Sequence, residues 1–224
     1  RDPHRVVASH AVERHTSTHI PVKKTRFQHC VVIRLMVTAA FIAGIAALAI
    51  IKPPACAALY GGTLYYAAFL PAGYLARWRL GRGFPLAYGV YFLSLTAAGL
   101  LVLASPQILQ SYNEVREAQA RYFSAASQCP LGRPLLVMQA VFLAPLVEEV
   151  VFRGLLFEEV RRRWGTASAY LISSLGFALL HNPGLGAVPI FIVALSLAFA
   201  YHRYGLPASI MLHATQNTLA MLIH

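Results

Sequence analysis

Three sets of residues carrying polar side chains sit in the apolar second half of this sequence, each at helical spacing. The first is Glu148-Glu149 with Arg153, inside LAPLVEEVVFRGLLFEEV. Residues four apart share a helix face, so Glu149 and Arg153 meet, whereas Glu148 points away from Arg153 by about 140°. Glu149 therefore has an ionic partner on its own helix and Glu148 has none. A desolvated carboxyl without a partner is suited to exchange a proton as a general base or acid. The second pair is Phe177 and His181, and the third is His213 and Asn217, each again four residues apart. Ionisable groups inside apolar helices are costly to keep and mark functional sites. One carboxyl and two imidazoles from three helices can hold a water whose proton the carboxyl takes, with an amide or imidazole stabilising an oxyanion. The same trio, Glu148, His181 and His213, is also of the type that binds Zn²⁺. No His-Glu-x-x-His or Gly-x-Ser-x-Gly motif is present.

The elements that must position these residues follow from composition. The 224 residues are 58% hydrophobic and 12% charged, with a mean hydropathy of +0.57. That is about half the charge of a soluble domain, and it excludes both an ordinary soluble fold and extensive disorder. The net charge of +11 would suggest nucleic acid in a soluble protein. Here no RNA-binding signature or zinc-finger spacing accompanies it, and the basic residues fall between apolar runs, where they set membrane orientation. Cys30, Cys56 and Cys129 are too few and too scattered for a disulfide framework.

Residues 1–30 read as a loose basic tail, with five irregularly spaced histidines (His4, His10, His15, His19 and His29). Residues 31–224 read as an all-α, polytopic transmembrane bundle whose catalytic core is 135–220. Seven spans are expected, at about 31–51, 56–76, 86–104, 135–157, 166–181, 186–201 and 206–223, given the roughly 20 apolar residues that cross a bilayer. The 105–134 connection carries apolar residues at helical spacing and reads as an amphipathic helix, either on the membrane surface or packed on the bundle. Arginine and lysine concentrate in the tail, the 77–82 loop, the 161–163 run and the His202-Arg203 turn. That asymmetry predicts a cytoplasmic N-terminus. Counted at 1.5 Å per residue, Glu148 lies about 19 Å from Arg161, His181 about 22 Å from Thr166 and His213 about 10 Å from Leu206. The unequal depths require a tilt or a shifted boundary. Glu158 and Glu159, four residues before Arg162 and Arg163, read as a solvated interfacial face. Arg34 reads as snorkelling to headgroups, and Trp78 and Trp164 as interface anchors.

The order E-E-x-x-x-R, F-x-x-x-H, H-x-x-x-N on successive apolar helices resembles the CPBP family of intramembrane proteases, which includes the type II CAAX prenyl endopeptidases and the bacterial Abi proteins. The likeness covers about residues 135–220. It implies a glutamic-type endopeptidase acting on a membrane-proximal or C-terminal segment of a membrane-anchored protein or peptide. Glu148 would be the general base, with His181 helping to position the water. His213 and Asn217 would form the oxyanion site, and Glu149, Arg153 and Phe177 would support them. By the same likeness no cofactor is expected, and a metal-dependent version would bind zinc through Glu148, His181 and His213. The setting implied is a bacterial inner membrane, and some bacterial relatives trim sorting tails of exported proteins. Two alternatives are a non-enzymatic membrane protein of the immunity type and an ion or proton carrier using the Glu/His set as a relay. Interrupted helices in paired positions, the mark of a carrier, are not evident.

Overall fold

The computed structural model describes residues 22–182 and 184–222, with side chains from Cys30 onward. The tail histidines His4 to His19 lie outside the described residues. Among the described residues every regular element is helical. Helix α1 (Val22–Ile51) begins nine residues before the expected span, because the Lys- and Arg-containing segment 22–30 is compatible with helix and extends it. Helix α2 (Ala55–Phe69) passes into a tighter 3₁₀ turn, Leu70–Leu75, opened by Pro71. The loop carrying Arg77, Arg79 and Arg82 leads to α3 (Leu86–Ala104). Ser105 then caps α4 (Pro106–Ser127) by accepting from the Ile108 N–H, with Pro106 at the first helical position, where its missing N–H costs nothing.

The stretch Gly132–His181 is helical throughout except at Gly165. It comprises α5 (Gly132–Val137), a π-helical segment Met138–Leu143, α6 (Ala144–Glu149), a second π-helical segment Val150–Phe157, and α7 (Glu158–His181). At Gly165 the backbone turns through φ 84°, ψ 175°. Only a residue without Cβ reaches that region easily, so the stretch folds into a hairpin with arms 132–164 and 166–181. Gly205 (φ 96°, ψ 177°) makes the same kind of turn between α8 (Ala187–Tyr204) and α9 (Leu206–Leu222). A Cβ there would lie 2.0 Å from the Arg79 carbonyl oxygen.

Among the described residues, four helices are long and apolar enough to cross a membrane, counting the two-armed 132–181 stretch as one. The two glycine turns, the 77–82 loop and the 161–163 run lie at one end of the bundle, where the Gly81 N–H donates to the Tyr204 carbonyl (2.6 Å). At the other end lie Lys52, α4 and the 182–186 turn, tied together by Ser111, whose Oγ accepts from the Gly186 N–H (3.0 Å). Cys56 and Cys129 are joined there in a disulfide with Cα atoms 5.7 Å apart. This corrects the reading of scattered thiols: their 73-residue separation hides the contact from any spacing rule.

Small residues let the helices approach closely, as in membrane bundles generally. Ala169, Ala178, Ala194, Ala198 and Ala200 are all fully buried. Two other expectations need correction. Arg34 does not snorkel: it is buried, and its guanidinium donates to the Leu75 carbonyl (2.8 Å) at the negative end of the 3₁₀ turn. Glu158 and Glu159 are also buried rather than solvated. Arg161 covers Glu158 (2.9 Å) and Arg163 covers Glu159 (3.0 Å), so the arginines face water and the carboxylates lie beneath them. Helix α4 packs on α2, α3 and α5, the second of the two readings given to it, and presents Tyr112 outward.

Candidate active site

The hairpin at Gly165 explains how Glu148 and His181 meet. Glu148 precedes that glycine by 17 residues and His181 follows it by 16, so two straight arms place them at one depth, about 25 Å from the turn at 1.5 Å per residue. Depth counted from Arg161 misleads because the first arm runs on to residue 164. Helix α9 starts deeper still. Leu206 is fully buried and sits at the level of Gly154, whose Cβ, if added, would lie 3.8 Å from it. His213, seven residues after Leu206, therefore reaches the level of Glu148, six residues before Gly154.

Glu149 is the structural carboxylate. It pairs with Arg153 (3.1 Å), both side chains fully buried, and accepts from His213 Nδ1 (3.0 Å). Arg153 is further fixed by donation to the Ala194 carbonyl (3.1 Å) and by the Phe177 ring, whose centroid is 4.6 Å from its guanidinium carbon. Phe177 also stacks on His181 (centroids 4.3 Å) and meets His213 edge-on (5.3 Å). One aromatic ring thus touches the arginine and both histidines, which gives the Phe177-x-x-x-His181 spacing a physical meaning.

Glu148 is 6% exposed. Its Oε1 accepts from the Tyr66 hydroxyl (2.5 Å). Its Oε2 is buried without a hydrogen-bond partner among the described residues, 3.6 Å from His181 Nε2 and 3.8 Å from His213 Nε2. The tautomers follow from the partners. His181 Nδ1 lies 2.9 Å from the Phe177 carbonyl, which only accepts, so that nitrogen carries a hydrogen. His213 Nδ1 faces the arginine-paired Glu149 carboxylate, so it too donates. In the neutral rings both Nε2 atoms are then bare acceptors. Three lone-pair carriers converge on one point with no hydrogen among them, a place that calls for a donor such as water.

The sequence-derived residues are therefore largely brought together. Glu148, His181 and His213 converge, with Glu149, Arg153 and Phe177 behind them. Asn217 lies one turn beyond His213, and its Nδ2 donates to the Ala140 carbonyl (2.7 Å) in the first π-helical segment. Widened turns free backbone carbonyls and recur at functional sites; Asn217 satisfies one of them. Two imidazoles and a carboxylate are zinc ligands by type. Among the described residues, however, no group of three His, Cys, Asp or Glu side chains is arranged to hold a metal ion. Tyr66 was missed by sequence reading. It follows Tyr65 in an aromatic-rich helix, and only the fold, across 82 residues, distinguishes the two.

Residues 130–219 match the family model described as Type II CAAX prenyl endopeptidase Rce1-like. No curated protein and no solved structure matches the chain.

Proposed function

Residues 130–219 match the model of the Type II CAAX prenyl endopeptidase Rce1-like family, a family of membrane proteases, and from that premise we propose that this integral membrane protein hydrolyses peptide bonds with a water activated by Glu148. The carrying observation is the buried Glu148 Oε2 facing two bare imidazole nitrogens. A water held there donates one hydrogen to Oε2 and the other to His181 Nε2, which leaves its lone pair for the scissile carbonyl carbon. As the C–O bond forms, Glu148 takes the proton and the carbonyl oxygen becomes an oxyanion. Asn217 supplies an N–H from its amide. His213, whose Nδ1 hydrogen is committed to Glu149, flanks the same point with its Nε2. On collapse the C–N bond breaks and Glu148 returns the proton to the leaving amine. Tyr66, by occupying Oε1, keeps Oε2 as the basic oxygen.

The substrate in this reading is a membrane-anchored protein or peptide cleaved in a segment close to the bilayer. The test compares wild type and Glu148→Gln on membrane-anchored peptide substrates, each with and without a strong chelator. The expected result is cleavage by wild type that the chelator does not change, and a loss of about 10²–10⁴-fold in the variant, the usual worth of general-base catalysis. Cleavage that survives the substitution removes Glu148 from its role. Loss on chelation, restored by zinc, turns the same three side chains into metal ligands.

A further inference from the structure

The two ends of the bundle differ in chemistry, and among the described residues the surroundings of the reactive carboxylate are exposed toward one of them. The end with the glycine turns carries seven arginines in or beside short connections: three in the 77–82 loop, three at 161–163 just before Gly165, and Arg203 in the last turn of α8. The other end carries Lys52, Arg116, Arg121 and Arg133, and of these Arg121 is paired with Glu117 (3.5 Å). Positive charge in short loops stays on the cytoplasmic side. The arginine-poor end also holds the Cys56–Cys129 disulfide, and disulfides persist in oxidising compartments outside the cytosol. Charge and redox chemistry are independent indicators, and they agree.

The route to Glu148 follows the same axis. Toward the arginine end, successive turns of its own helix bury Val151, Phe152, Leu155 and Phe157 completely or nearly so. Phe157 is edge-packed by Tyr170 and Tyr201, with centroids 5.3 and 5.4 Å away. That direction is closed by aromatic packing. Toward the disulfide end, His181 is the last residue of α7, and its side chain is 39% exposed while its Nε2 faces Glu148. The following turn is held by Ser111 of α4, which places the amphipathic α4 beside the opening.

We infer that the Glu148 site opens on the disulfide-bearing face, that this face is extracytoplasmic, and that the polypeptide segment it accepts is displayed on that side of the membrane beside α4. The word substrate rests on the protease reading above; the accessibility of the site does not.

The test therefore reads accessibility without activity. Full-length protein with Cys30→Ala, the disulfide left intact, receives one new cysteine in each of three variants: His181→Cys, Leu185→Cys in the adjoining turn, and Arg163→Cys at the arginine end. Leu185 is an exposed side chain, so its variant keeps the test readable if His181→Cys fails to fold. Bacterial spheroplasts are treated with a membrane-impermeant maleimide before and after permeabilisation. Full labelling of His181→Cys and Leu185→Cys before permeabilisation, with Arg163→Cys labelled only after it, supports the inference. The opposite pattern at Leu185 and Arg163 overturns the orientation. Early labelling of Leu185→Cys with His181→Cys labelled only after permeabilisation overturns the opening. A Leu185→Cys protein that labels as expected but cleaves nothing counts against the protease reading alone.

Discussion

Helices α1 and α3 match the 132–181 hairpin in apolarity but not in company. Their best windows have mean hydropathies of 2.3 and 1.9 against 2.0, yet 17% and 22% of those windows are buried against 50%. Hydropathy thus identifies a membrane helix without saying whether lipid or protein covers it. What separates the two regions is the polar residues. Leu93 and Leu100 on α3 face outward, whereas Glu149, Arg153 and His213 lie where only protein can supply their partners. A buried ionic group in hydrocarbon must be satisfied inside the bundle, so the second half wraps its charges and the first half has few to wrap.

If that contrast is right, substitutions in the two regions differ in cost. The largest effect on stability is expected at Arg153→Met, which strands Glu149 in a fully buried position. Breaking such a pair costs about 3–5 kcal/mol, read as a large loss of thermal stability in detergent. Reduction or Cys129→Ser follows, at about 2–4 kcal/mol for a loop of this kind. Removing the link frees α2 from the turn between α4 and α5, and a dithiothreitol titration of the melting temperature measures it. Tyr66→Phe comes next and sharpens the comparison, because it tests a first-half residue drawn into the second half's chemistry. Losing a hydrogen bond to a charged group costs about 1.5–3 kcal/mol. The expected result is a fall in kcat of about tenfold or more with a small change in KM, from steady-state cleavage. The smallest effect belongs to Leu93→Ala on the lipid-facing side of α3, within about 0.5 kcal/mol by the same melting assay. A Leu93→Ala cost comparable to that of Arg153→Met would break the contrast.

The division between what the sequence revealed and what it concealed follows contact range. Glu149 with Arg153, Phe177 with His181, and the bundle class all depend on residues four apart or on composition, which a one-dimensional reading captures. The boundary at 86–104 and the turn after His181 were legible for the same reason. Tyr66 against Glu148 and Cys56 against Cys129 depend on segments more than 70 residues apart, where no periodicity applies. The burial of Glu158 and Glu159 was hidden differently. Their i,i+3 and i,i+4 arginines are visible in the sequence, but which member of a pair faces water is decided by the neighbouring α8, whose Tyr201 donates to Glu158 (3.0 Å). The unequal depths counted for Glu148 and His213 came from assuming that all helices end at one plane. The hairpin tip at Gly165 instead projects beyond the start of α9.

That projecting hairpin works as a ruler with a fixed zero. Because Gly165 turns the chain within one residue, the alignment of Glu148 with His181 is a matter of counting: 17 residues on one side and 16 on the other. A single alanine inserted between Gly165 and Ala169 would move His181 by about 1.5 Å along the arm and about 100° around it. The 182–186 connection, at the opposite end, bears no such count for this pair. The molecule's tolerance to insertion is therefore asymmetric along its axis, strict where the arms are joined and looser where they open.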